Sequence, residues 1–244
     1  MIDFNSKSQL SDRINHYLDK SLETENQKQS KRNYLGGSRL GVECERALQY
    51  EYFHAPKDEG KDFPGRVLRI FARGFWIEDY LIKVIRQAGY DLQTHNNAGY
   101  QFGFKALDGK IQGHCDGVFV GGLETMVYPA LWECKGIQEK DWKLLVKEKL
   151  KKKYPVYFAQ VQIYQKHFGL TENPAIFTAC NMNKMELYHE KIPHDPAYTA
   201  LLEAKGRRII QACEAGELLP RMSQDPNFYI CKHFCSYGKR CFKE

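Results

Sequence analysis

Glu133 and Lys135 stand two positions apart in the stretch "PALWECKGI", among Leu131, Trp132, Cys134 and Ile137, which are residues for a core. In an extended chain residues two apart share a face, so an acid and a base project together from an apolar strand. Upstream, "IQGHCDGVF" sets Asp116 just past a run of β-forming residues and before Gly117. Sequential strands are neighbours about two-thirds of the time, which brings Asp116 beside Glu133 and Lys135. Two adjacent carboxylates repel, and a divalent cation is the simplest way to keep both ionised. Hard oxygen ligands suit magnesium or manganese, which polarise a phosphoryl oxygen and activate water. The lysine would orient that water or offset charge developing on the phosphate. This is chemistry for cutting phosphodiesters.

A second constellation lies in the tail "YICKHFCSYGKRCFKE", with Cys231, Cys235 and Cys241 in one short, turn-rich segment. Three thiolates so close call for a metal, and Cys44 in "GVECERALQY" is the candidate fourth ligand. Four Cys thiolates hold a [4Fe-4S] cluster, which would staple distant parts of the chain. His233 lies between the first two cysteines and offers the alternative of tetrahedral zinc. Cys134, Cys180 and Cys213 sit in apolar contexts and read as core.

Two further groups flank the acids. Gln160 and Tyr164 are four apart and share a helix face, which alone is equally the mark of a partly buried amphipathic helix. A basic run carries Lys143, Lys147 and Lys149, then Lys151, Lys152 and Lys153, interleaved with Trp142, Tyr154, Tyr157 and Phe158. Such a run is either a solvated helix face or a set of phosphate contacts with rings for stacking on unpaired bases. His114 shares the face of Asp116 and reads as its support; Cys115 points the other way and reads as core.

The elements that must position these residues follow from periodicity. The segment 64–90 repeats Val67, Ile70, Phe71, Phe75, Ile77, Leu81, Ile82 and Ile85 near helical spacing, and Gly89 ends it. Extended stretches follow over 90–96, 99–107, 109–122 and 126–137, with Asp108-Gly109 as a hairpin turn. Helical patterns return over 138–153 and 154–169, then strands over 174–182 and 184–192, then a long helix over 195–216. This order is α/β or α+β with a central sheet. The first 35 residues read as a flexible or helical arm.

The spacing of Asp116 and Glu133-Cys134-Lys135 resembles the D…(D/E)-x-K core of the PD-(D/E)xK nucleases. "RGFWIE" puts Glu78 on a helix ahead of the sheet, and "QVQIY" supplies the Q-x-x-x-Y pattern, both similar to the RecB-type branch. The cysteine layout is similar to its iron-sulfur members, among them CRISPR-associated RecB-like exonucleases and the nuclease domains of AddB-type helicase-nucleases. Here three residues separate Cys231 from Cys235, where those members usually have two. "GGSRLGVECERALQYEYF" and "KDWKLLVKEKLKKKYPVYFAQVQIY" also look like nucleases encoded by bacteriophages.

The resemblance implies a restriction-endonuclease-like central mixed sheet flanked by helices, in one nuclease domain over 36–244, with Cys44 and 228–244 as a cluster-binding subregion. It implies that Asp116, Glu133 and Lys135 are catalytic and that Glu78, Asp116, Glu133 and the backbone carbonyl of Cys134 hold Mg or Mn. Gln160 and Tyr164 would support the site or touch DNA, with Lys151, Lys152 and Lys153 on the phosphate backbone. Where relatives often carry His at the first metal position this chain has Glu78, so its site would be all oxygen.

Composition limits the alternatives. At 43% hydrophobic and 27% charged residues the 244-residue chain belongs with globular proteins, and a net charge of +6 permits a polyanionic partner without requiring one. No apolar run approaches the roughly 20 residues that span a bilayer, and the start lacks a secretory signal, so a cytoplasmic setting in a bacterium or phage-infected cell is expected. Eight cysteines there are metal ligands or core residues sooner than disulfides. The expected function is a Mg- or Mn-dependent exonuclease on single-stranded DNA or DNA ends, alone, as a homo-oligomer, or beside recombination partners. The alternative is a DNA-binding subunit of a recombination or spacer-acquisition complex with weak or no cleavage.

Overall fold

The computed structural model describes residues 7–244, so the first six residues of the expected N-terminal arm lie outside the described residues. In chain order the elements are α1 (Lys7–Lys28), β1 (Leu35–Gly36), α2 (Glu45–Tyr52), α3 (Gly65–Gln87), β2 (Asp91–Gln93), β3 (Gly103–Ala106), β4 (Ile111–His114), β5 (Gly117–Gly121) and β6 (Ala130–Ile137). There follow α4 (Glu139–Glu148), α5 (Leu150–Lys153), α6 (Pro155–His167), β7 (Ala175–Asn181), β8 (Leu187–Ile192), α7 (Pro196–Ala215) and α8 (Gly238–Lys243). Short non-α turns cover Gly37–Arg39 and Ile230–Phe234.

The strands form two mixed sheets. One runs β2-β5-β6-β7-β8, antiparallel except for the central β6–β7 pair, and the other runs β1-β4-β3. β7 is buried along its whole length, as a central strand covered on both faces must be. Alternation on β6 sends Leu131 and Ile137 into the core shared with α4 to α7, and Trp132 and Cys134 into the core under α3. Glu133 and Lys135 therefore project with Leu131 and Ile137, toward the α6 side.

The stretch 109–122 does not run as one strand. It breaks at Cys115-Asp116, with β4 in the small sheet and β5 in the large one. Leu107, Asp108 and Gly109 all take positive φ in the tight turn that joins β3 to β4. The long helix expected over 195–216 is α7, capped by Asp195, whose carboxylate accepts from Tyr198 N at 3.0 Å, and ended by Gly216 at φ 70°.

α3 corrects one reading of its periodicity. Ile77 and Leu81 are buried on the large sheet, but Ile70, Phe71 and Phe75 face solvent. Only Ile77, Leu81, Ile82 and Ile85 of α3 join the core beneath it. α1 lies against the beginning of α3: Arg69 pairs with Asp19, and Glu23 Oε1 accepts from Gly65 N at 2.8 Å. No helix among the described residues is long and apolar enough to cross a membrane.

Candidate active site

The break between β4 and β5 frees Asp116 from the ladder and turns it toward β6. Its Oδ2 accepts a hydrogen bond from Cys134 N at 2.7 Å and lies 3.8 Å from Lys135 Nζ. Lys135 Nζ also donates to Glu133 Oε1, which accepts a second bond from Gln160 Nε2 on α6. The strand alternation, the register of β5 on β6 and the face of α6 thus bring four of the expected residues into one network. Cys134 donates its N–H toward Asp116, and in a strand the C=O of a residue projects to the same edge as its N–H, so its carbonyl faces the acids.

Glu133 is 0% exposed, and its second oxygen, Oε2, has no hydrogen-bond partner. A buried carboxylate oxygen left bare is unfavourable by roughly 1–3 kcal/mol or more, and such a group asks for a ligand. Burial first, then the charge of Asp116, pushes the Glu133 carboxyl up to about 8 against the pull of Lys135. Burial and Asp116 likewise raise Glu78, which reaches the cluster from α3, to about 7. Burial alone would lower Lys135, but Glu133 and Asp116 outweigh it and hold its ammonium protonated. Three carboxylates against one ammonium is an excess of negative charge that suits a hard divalent cation. Among the described residues no three His, Cys, Asp or Glu side chains already stand close enough to form a metal cage.

Asp116, Glu133 and Lys135 open onto a cleft of about 450 Å³ that Glu78 does not line. Its wall includes Arg32, Ser38, Gln101 and Gln112, none of which sequence reasoning singled out, together with His114 and Tyr164. Arg32 rides 5.9 Å from the Tyr34 ring and makes no ion pair among the described residues. The only signal for it was its place before the "GGSRLG" stretch, which folds as the Gly37–Arg39 turn beside α6. Tyr164 is wedged against Phe104 at 5.5 Å, and burial raises its phenol far above the usual range. Gly37 and Gly113 let it in: a Cβ on Gly113 would stand 2.7 Å from a Tyr164 ring carbon.

Lys151, Lys152 and Lys153 do not line this cleft. Lys151 lies 3.7 Å from Asp195, Lys152 3.6 Å from Glu148, and Lys153 bonds Asp141 at 2.7 Å. The rings between them are also spoken for. Phe158 is buried, Trp142 Nε1 donates to Ala179 O at 3.1 Å, and Tyr157 sits 5.6 Å under Lys135.

Cys44, just before α2, lines a cavity of about 250 Å³ with Cys231 and Cys235, and Cys241 packs with Cys235 against Tyr50 and Tyr237; the four thiols form no ready-made metal cage among the described residues. Burial first, then the neighbouring thiols of Cys44, Cys231 and Cys241, raise Cys235. Tyr237 N donates to Cys235 Sγ at 3.4 Å and Arg46 Nη1 to Cys241 Sγ at 3.7 Å. His233 is exposed, its ring packed 5.1 Å from that of Tyr229.

No family model matches the chain, and no curated protein matches it. Among solved structures, one titled SSO0001 is similar at TM-score 0.48 and 17% identity over 93% of this chain and 96% of that one. The dAMP complex of LHK-Exo gives 0.49 at 16% identity, over 75% of this chain and 89% of that one. The alkaline exonuclease LHK-Exo from Laribacter hongkongensis itself gives 0.51 at 16% identity, covering 76% of this chain and 90% of that one. The chain thus has a mixed α/β fold, two mixed sheets flanked by helices, that is shared with an alkaline exonuclease.

Proposed function

We propose that the chain is a metal-dependent DNA nuclease of the PD-(D/E)xK superfamily, a RecB-like exonuclease acting on single strands or DNA ends. The observation that carries this reading is the bare Oε2 of Glu133 in a network with Asp116, Lys135 and Gln160, next to Glu78. A likeness in fold to an alkaline exonuclease agrees with it.

Glu78, Asp116, Glu133 and the Cys134 carbonyl would hold Mg or Mn, which supplies Lewis acidity toward the phosphate and an activated water. Lys135 stays an ammonium, so it donates hydrogen bonds and offsets charge on the phosphate; it does not remove a proton. Gln160 fixes the rotation of Glu133, and Tyr164 fixes the wall opposite. Arg32, which makes no ion pair among the described residues, offers its cation to the strand's backbone.

Cys44, Cys231, Cys235 and Cys241 would hold a [4Fe-4S] cluster that ties α2 to the C-terminal segment. His233 is exposed with its ring packed at a tilt on Tyr229, which makes the zinc alternative the weaker one. The partner is DNA, and the setting a bacterial cell or a phage-infected host.

Digestion of single- and double-stranded DNA labelled at either end, with magnesium and then manganese, tests the function. Progressive loss of nucleotides from an end supports an exonuclease. DNA binding with no cutting under any divalent cation would instead make the chain a non-cleaving subunit of a recombination or spacer-acquisition complex.

A further inference from the structure

Gln160 secures the acid of the Glu133-Cys134-Lys135 stretch, and the same helix carries a partner for its lysine. Tyr157 stands three residues before Gln160 on α6, so the two share a face of the helix. It lines the cleft beside Asp116, Glu133 and Lys135. Lys135 Nζ lies over its ring, 5.6 Å from the centre and within reach of a cation–π contact.

The ring is itself held in place. Phe177 on β7 is fully buried and pairs in register with Glu133, so its side chain stands next to that acid on the same face of the sheet. Tyr157 stacks on Phe177 at 6.5 Å and 26°, and Tyr154 packs on Tyr157 at 5.1 Å. A ring packed on two others has little freedom to turn, so the surface it offers the ammonium is fixed.

Lys135 needs such a partner. Its stem is flexible, and its other contacts are Glu133 and, at 3.8 Å, Asp116. Both carboxylates are proposed ligands of the divalent cation, which would compete with the ammonium for the same oxygens. A ring face is no ligand for a hard cation, so its hold on the ammonium is independent of the acids.

We propose that Tyr157 is a positioning residue for Lys135: its ring face keeps the ammonium beside the acids when their oxygens are engaged, so that the ammonium meets the phosphate already in place. The proposal rests on the nuclease reading and adds a residue to it. α6 then holds both ends of the strand motif, with Gln160 on the acid and Tyr157 on the lysine. The contact is made by the aromatic face, so phenylalanine can replace tyrosine and an aliphatic side chain cannot.

The test compares full-length wild type, Tyr157→Phe and Tyr157→Leu in single-turnover cleavage of end-labelled DNA at saturating manganese. Tyr157→Leu lowers the rate about ten-fold or more, while Tyr157→Phe stays within about three-fold of wild type. Tyr157→Met refills the space with an adaptable side chain and, as a second non-aromatic variant, shows the same loss. DNA affinity and the manganese concentration for half-maximal rate stay unchanged, because the ring acts through Lys135. Weakened DNA binding in Tyr157→Leu would make the ring a stacking surface for bases and overturn the proposal.

NMR of the metal-free protein gives a readout independent of cleavage. The ring current of Tyr157 moves the ε-protons of Lys135 upfield; Tyr157→Phe keeps that shift, and the two non-aromatic variants abolish it. Lysine resonances that do not respond, or a loss of rate in Tyr157→Phe equal to that in Tyr157→Leu, would overturn the role. If the wild type does not cut DNA, the nuclease reading falls and this role with it. If the wild type cuts and the non-aromatic variants cut as fast, only the role of Tyr157 falls.

Discussion

Gln160 on α6 donates a hydrogen bond to Oε1 of Glu133 on β6, and Oε2 of the same carboxylate is left bare. With Lys135, which donates to the same oxygen, the amide acts as a clamp that limits rotation of the carboxylate and leaves Oε2 available to a ligand. Gln160→Ala releases that rotation. We expect cleavage to fall about 10- to 100-fold and the divalent concentration for half-maximal activity to rise, with DNA affinity unchanged. Loss of DNA affinity with normal metal activation would give Gln160 a different role.

The crowded acids give stability a definite dependence on pH. Burial and then Asp116 raise Glu78 to about 7 and Glu133 to about 8, from an ordinary value of 4.5. Between the two limits the folded chain keeps protons that the unfolded chain has released, so metal-free stability falls as pH rises through that window. The thermal midpoint in chelator therefore drops from about pH 5 to about pH 8, and Mn restores it most at the alkaline end. Glu133→Gln flattens the drop. A midpoint that rises over the same interval contradicts the electrostatics described.

Gly113 is packed by the wall it supports. A Cβ there would lie 2.7 Å from Phe104 Cε1 and 2.7 Å from Tyr164 Cε1, with the Tyr164 hydroxyl at 2.9 Å. Overpacking of this sort is destabilising by about 1–3 kcal/mol. Urea unfolding of Gly113→Ala checks it, and a variant as stable as wild type would mean that Tyr164 is free to move.

Much of the site was legible because its chemistry is written in short spacings. Glu133 and Lys135 share a strand face by alternation alone, and Gln160 and Tyr164 share a helix face by spacing alone. Asp116 was named, but the break that releases it was not, although Asp116-Gly117 repeats the Asp-Gly pair read as a turn at Asp108-Gly109: the β-forming residues on both sides read as one continuous strand. Arg32 and Ser38 reach the cleft only through packing of the Gly37–Arg39 turn on α6, a contact across more than a hundred residues. The α3 rings show the limit of periodicity. Phe71 and Phe75 recur as core residues would, and a 3.6-residue repeat does not say whether a face meets a sheet or solvent.

The thiols give a separate prediction. On the proposed [4Fe-4S] reading Cys44→Ser removes one of four ligands, so iron content and visible absorption of anaerobically purified protein are lost, whereas Cys180→Ser, in the core, leaves both. The thermal midpoint falls by more than about 5 °C, since each kcal/mol corresponds to about 2–4 °C at this size. Iron-free protein holding stoichiometric zinc would select the other metal.

Lys135 joins Glu133 and Asp116, and the account stands or falls on it. The direct measurement is the single-turnover rate of cleavage of end-labelled DNA, in saturating manganese, by wild type and Lys135→Ala. The predicted result is cleavage by the wild type, a rate at least about 100-fold lower in the variant, and DNA affinity retained. A variant that cuts at the wild-type rate would contradict it.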